Sequence, residues 1–95
     1  MKDIPRIVSA EPVIHGVLKI EWSDGYAGVV DLRPVISRGM IFTYLQNDEN
    51  FRTVAVGESG HAVYWTNEKG DVIDLGTDSL HQRAEQQAEL HRAAG

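Results

Sequence analysis

Val17-Leu18-Lys19-Ile20-Glu21-Trp22-Ser23-Asp24-Gly25-Tyr26-Ala27-Gly28-Val29-Val30-Asp31 decides the fold. Leu18, Ile20 and Trp22 alternate with Lys19 and Glu21, the period of two expected of a strand with one buried face. Asp24-Gly25 interrupts the pattern, and both residue types accept the positive φ that a tight hairpin turn demands. With these two as the loop, Trp22 faces Ala27, Ile20 faces Val29 and Leu18 faces Asp31. One face of the hairpin is then apolar up to Asp31, where a lone carboxylate would be costly. Asp31 is therefore a candidate polar site. Its structural reading is a strand-end acid that accepts backbone amides or pairs with Arg33; its functional reading is a working acid.

Outward from this hairpin, the chain reads as short elements punctuated by glycine and proline. Arg6–Ile14 is a first strand, with Pro12 moving its end toward a sheet edge, and His15-Gly16 turns the chain. Leu32–Gly39 is a short helical turn with Pro34 at its start and Gly39 just past its end. Met40–Leu45 is apolar and aromatic, and its periodicity does not separate strand from helix. Asn47 followed by Asp48 and Glu49 starts a brief helix. Thr53–Gly57 and His61–Thr66 form a second hairpin around Glu58-Ser59-Gly60, and Asn67-Glu68-Lys69-Gly70 turns into a strand at Asp71–Leu75. The tail from Thr77 or Asp78 to Ala93 is a helix, with Ser79 and Gln82 spaced as a capping box. Its apolar stripe of Leu80, Ala84 and Ala88 is thin, so it is expected to dock by its first turn and project beyond. Trp22 and Trp65 are read as core residues.

The expected architecture is α+β: a curved, mainly antiparallel β-sheet built from hairpins, with short helices and a C-terminal helix. Residues 1–80 form one domain and residues 81–95 a helical extension. Two such thin stripes, with Leu90, suit a homodimer through the C-terminal helix.

Composition bounds the function. Ninety-five residues, 42% hydrophobic and 24% charged, suffice for a single core. Without cysteine there is no disulfide and no thiol nucleophile. The net charge of −5 argues against general binding to nucleic acids or anionic membranes, which favours basic surfaces. No apolar run approaches the roughly 20 residues of a spanning helix, and no secretory signal follows Lys2 and Arg6, so a cytoplasmic location is expected. Gly57-Glu58-Ser59-Gly60 lacks the spacing of a nucleophile elbow and reads as a turn. His81 and Glu85 stand four apart on the tail helix, but two ligands do not make a metal site and the pair reads as a solvated face. No Gly-rich loop enters a helix to hold phosphate. No cofactor is expected.

Charge is the most informative feature. Residues 1–47 hold five acids and five bases, and residues 79–95 hold two of each. The whole excess thus lies in residues 48–78, where seven acids meet only Arg52 and Lys69. Glu58, Glu68 and Asp71 sit in turns of this segment and are the candidate partner-binding residues, suited to a small basic protein.

Pro5-Arg6-Ile7-Val8, Trp22-Ser23-Asp24-Gly25-Tyr26, Val30-Asp31-Leu32-Arg33-Pro34, the Phe51, Val54 and Val56 run, and Val63-Tyr64-Trp65 leading to Asp74-Leu75 together resemble the bacterial family called domain of unknown function 2442. The resemblance spans about residues 4 to 80 in order. It implies an α+β fold with a curved antiparallel sheet, and a gene placed beside that of another small protein in pairs suspected to be toxin–antitoxin modules. It carries no catalytic or binding residues. Where the family reads Trp-Pro-Asn-Gly soon followed by Asp-Leu, this chain has Trp65-Thr66-Asn67 and a longer charged segment. Some members carry a helix-turn-helix domain after this point, but the 15 residues beyond Leu80 allow one helix only. The expected function is a protein-interaction module, the antitoxin-like partner of a two-gene pair. Two other readings stay open: a small enzyme or ligand-binding domain with a carboxylate site near Asp31, and a DNA-binding accessory protein.

Overall fold

The hairpin at Asp24-Gly25 forms, one residue out of the expected register. In the computed structural model, which describes residues 5–94 and their side chains through Glu89, strands β1 (Ile7–Ile14), β2 (Val17–Trp22) and β3 (Ala27–Asp31) form an antiparallel sheet in that order. Leu18 pairs with Val30, Ile20 with Gly28 and Val17 with Asp31. The cause is a loop of three residues rather than two. Trp22 N–H donates to the Tyr26 carbonyl at 2.9 Å, and Gly25 N–H donates to the Trp22 carbonyl at 3.0 Å. Only Gly25 takes positive φ, at +88°; Asp24 avoids that conformation and its carboxylate instead accepts from Tyr26 N–H at 2.9 Å. A turn closed by a left-handed glycine gives this longer loop.

A one-residue shift turns the whole strand over. Val30 is therefore buried and Val29 exposed, Ala27 lies on the face opposite Trp22, and Asp31 stands beside Val17 instead of on the apolar face.

The chain then passes through α1 (Arg33–Ile36), with Pro34 in its first turn, and the ambiguous stretch resolves as a 3₁₀ helix, Met40–Gln46. Asn47 caps α2 (Asp48–Phe51) by accepting from Glu49 N–H at 2.9 Å. Strands β4 (Ala55–Val56), β5 (Ala62–Thr66) and β6 (Val72–Gly76) form a second antiparallel sheet in that order. The architecture is α+β and mainly antiparallel as expected, divided into two three-stranded sheets. A backbone bond from Ile7 N–H to the Gly60 carbonyl at 2.8 Å ties the first sheet to the β4–β5 turn of the second.

The core joins Leu18, Ile20, Trp22 and Val30 of the first sheet to Val63, Trp65 and Ile73 of the second. Both tryptophans are buried, and both indole N–H groups are satisfied, as buried donors require. Trp65 Nε1 donates to the Phe51 carbonyl at 2.8 Å. Trp22 Nε1 donates to Thr77 Oγ1 at 2.9 Å, and that hydroxyl donates to the Pro5 carbonyl at 2.9 Å.

Helix α3 (Thr77–Ala94) docks further than its thin stripe suggests. Leu80 and Ala84 are both buried, and Gln87 Oε1 accepts from Asp31 N–H at 2.7 Å. The reason lies in another element: Gly28 faces the helix, where a Cβ would stand 3.0 Å from that of Ala84. Leu90, on which the expectation of self-association partly rests, has a side chain outside the described ones.

Candidate functional site

Gly39-Met40-Ile41 opens the 3₁₀ segment with an unusual backbone. Gly39 has φ +73°, and Met40 follows at +57°, the one non-glycine residue at positive φ among those described. An L side chain in the left-handed region costs roughly 1–2 kcal/mol. Downstream, Phe42 and Tyr44 pack against the core and Leu45 is fully buried. That arrangement leaves Met40 87% and Ile41 67% exposed. The segment is pinned through its carbonyls: His15 Nε2 donates to that of Leu45 at 2.8 Å, and Asn50 Nδ2 to that of Tyr44 at 2.9 Å. At its end, Gln46 Nε2 donates to the Ile36 carbonyl at 3.1 Å.

Across from it lies the β5–β6 turn. Asn67 Oδ1 accepts from Lys69 N–H at 2.9 Å and from Asp71 N–H at 3.0 Å, which fixes the turn's shape. Val72 follows, 61% exposed. Between the two walls runs a cleft of about 700 Å³, with Met40, Ile41 and Tyr44 on one side and Glu68, Asp71 and Val72 on the other. Hydrogen bonds hold the backbone of both walls. An apolar patch rimmed by charge is the pattern of an interaction site.

The structure thus brings two of the candidate partner-binding residues, Glu68 and Asp71, to this rim. Glu58 is exposed in the β4–β5 turn and does not line the cleft. Of the other acids in the charged segment, Asp48 is paired with Arg52 at 3.0 Å, and Asp74 is exposed on β6.

Asp31 lies elsewhere, and its carboxylate is engaged. Arg33 Nε and Nη2 donate to its two oxygens at 2.8 Å each, and Arg33 N–H adds a third bond at 3.0 Å. The hydrogen bonds from the Arg33 side chain, outweighing partial desolvation, hold the Asp31 carboxyl below its ordinary value of 3.8. His81 is not on a solvated face as expected. Its ring packs against those of Trp22 and Tyr26, with centroids 4.7 and 4.8 Å away, and Nδ1 is 2.7 Å from Glu85 Oε1. Asp24 Oδ2, at 3.6 Å from Nε2, is beyond hydrogen-bond reach. Among the described residues, no group of three His, Cys, Asp or Glu is placed to hold a metal ion, and no helix is long and apolar enough to cross a membrane.

Met40, Ile41 and Val72 escape a reading of the sequence alone. Their signal was weak: an apolar run after Gly39 without polar alternation, and a valine next to a charged turn. Among known proteins, the family model described as a protein of unknown function, DUF2442, matches residues 7–85. No curated protein and no solved structure matches the chain.

Proposed function

The chain belongs to the DUF2442 family of proteins of unknown function, and we propose that it is a protein-interaction module receiving a basic partner in the cleft between the 3₁₀ segment and the β5–β6 turn. One observation carries this reading: a methionine held at positive φ with its side chain in solvent. Both features cost free energy in the isolated chain, and a partner that buries the thioether offsets them. Ile41 and Val72 extend the apolar area, while Glu68 and Asp71 give the rim a charge that attracts a basic surface. The concrete form of the role is the antitoxin-like member of a two-gene pair, the setting that the family resemblance implies, acting in the cytoplasm.

The test begins with capture of a binding protein from the native cell on the immobilised chain, followed by kinetics with three variants. Glu68→Gln with Asp71→Asn should slow association at low salt and change dissociation less. Glu58→Gln, away from the cleft, should have a smaller effect. Met40→Gly relieves the backbone, so its thermal midpoint should equal or exceed that of the wild type. Its complex should nevertheless dissociate faster. A partner that binds all of these variants like the wild type would place the interface elsewhere.

A further inference from the structure

We infer that the partner enters this cleft as an extended basic segment that hydrogen-bonds along the open edge of β6 and adds a fourth strand to the second sheet, an inference that rests on the docking role proposed above. Antiparallel strands exchange backbone hydrogen bonds only at every second residue pair. Asn67 N–H donates to the Asp71 carbonyl at 2.9 Å, and Thr77 N–H donates to the His61 carbonyl at 2.8 Å. Between these pairs the register runs through Trp65 with Ile73 and Val63 with Leu75. The odd-numbered residues of β6 are therefore the ones bonded to β5. The N–H and C=O groups of Val72 and Asp74 point the other way, while Gly76 leads directly into α3. β6 is the outer strand of its sheet, and among the described residues no bond from a turn, loop or side chain engages the Val72 or Asp74 backbone on that side.

Such an edge is a template for another strand. At its start, Val72 and Ile73 line the cleft opposite Met40 and Ile41. At its end β6 runs straight into α3 at Thr77, so the free stretch of edge is that of Val72 to Asp74.

Charge chooses the occupant. Glu68 and Asp71 lead into the edge and Asp74 stands exposed at its centre, with Lys69 as the one cation among them. A second copy of β6 would set these acids against the same acids, and like charges across a strand pair are destabilising. A segment that alternates basic and apolar residues satisfies both faces. Its cations meet Asp74 on the solvent side, while its apolar residues lie along the cleft beside Ile73 and Ile41.

The probe is a capped synthetic peptide that alternates lysine with valine, titrated against the full chain at low salt. A second peptide is the same but carries N-methyl groups on alternate residues, which removes one edge's donors while keeping every side chain. On the protein side, Val72→Pro deletes an outward N–H without touching the β5 ladder, a position where a strand tolerates proline. Val72→Ala, which keeps that N–H, is its control. Strand addition predicts that N-methylation in one of the two possible registers, and Val72→Pro, each weaken binding about tenfold, the effect of losing a hydrogen bond or more. Val72→Ala should weaken it less. If the plain and methylated peptides bind alike but Glu68→Gln with Asp71→Asn abolishes binding, strand addition fails and the docking role survives. If the plain peptide does not bind at about 1 mM, both fail. Should the chain sediment as a dimer that Val72→Pro converts to monomer, a second copy occupies the edge and the inference is overturned.

Discussion

Gly25 and Gly60 hold similar backbone angles, φ +88° and +74°, in different surroundings. A Cβ at Gly25 would meet nothing within 4 Å, whereas at Gly60 it would lie 2.7 Å from the Ile7 carbonyl oxygen and 3.2 Å from its nitrogen. Gly25→Ala should therefore cost about 1 kcal/mol, the strain alone. Gly60→Ala should cost about 3 kcal/mol, because strain is joined by displacement of the bond that ties the first sheet to the β4–β5 turn. Denaturant titration of both variants checks this, and equal losses would refute it. Asp31 yields a pH prediction. Its carboxyl is held below 3.8 by Arg33, so the pair contributes stability that is complete above that value and is lost as pH falls through the lower, folded-state value. Arg33 is exposed, so the effect is modest. Asp31→Asn should flatten the fall in thermal midpoint below about pH 4; an unchanged slope would show the pair to be inert. The pairing itself was legible, since an Asp two residues before an Arg at a strand end has an obvious partner. The side of the strand that Asp31 occupies was not.

That error belongs to the hairpin as an element. The alternation in β2 was strong enough to bound the strand at Val17 and Trp22 as observed. In β3 the adjacent Val29 and Val30 are both β-branched, so either register buries a valine. The choice falls to whether Asp24 accepts positive φ, a difference of about 1–2 kcal/mol that composition does not display. The 3₁₀ segment is a similar case, since an apolar run without period leaves its face undecided. Helix α3 shows a third cause. Its docking depends on Gly28, distant in sequence, and on Gln87 reaching the Asp31 amide. Deleting residues 84–95 removes the buried Ala84 and that hydrogen bond. The truncated chain should still unfold cooperatively, but about 1–3 kcal/mol less stable. A midpoint equal to that of the full chain would mean that the helix beyond its first turns contributes nothing to the fold.

For the molecule as a whole, the sequence located the acidic excess but not its arrangement. Glu58 and Glu68 both occupy hairpin turns, yet only Glu68 reaches the cleft. The cleft itself needs Met40 and Val72 on one side of the molecule, and no local pattern announces that meeting. The Thr77 hydroxyl acts at the same scale, joining Trp22 to Pro5 across sequence separations of 55 and 72 residues. Hairpins close short loops and form early, while contacts so distant wait until most of the chain is ordered. Thr77 is thus expected to act as a latch that fastens late, and its effect should show in the unfolding rate. Thr77→Val should leave the refolding rate nearly unchanged and speed unfolding by about tenfold, the share of a lost hydrogen-bond pair that falls after the rate-limiting step. Stopped-flow refolding and unfolding read the two limbs separately, and slowed refolding would show the latch already closed in the transition state. If the latch is late, the lifetime of the native chain would depend in part on one hydroxyl, and the speed of reaching that state would not.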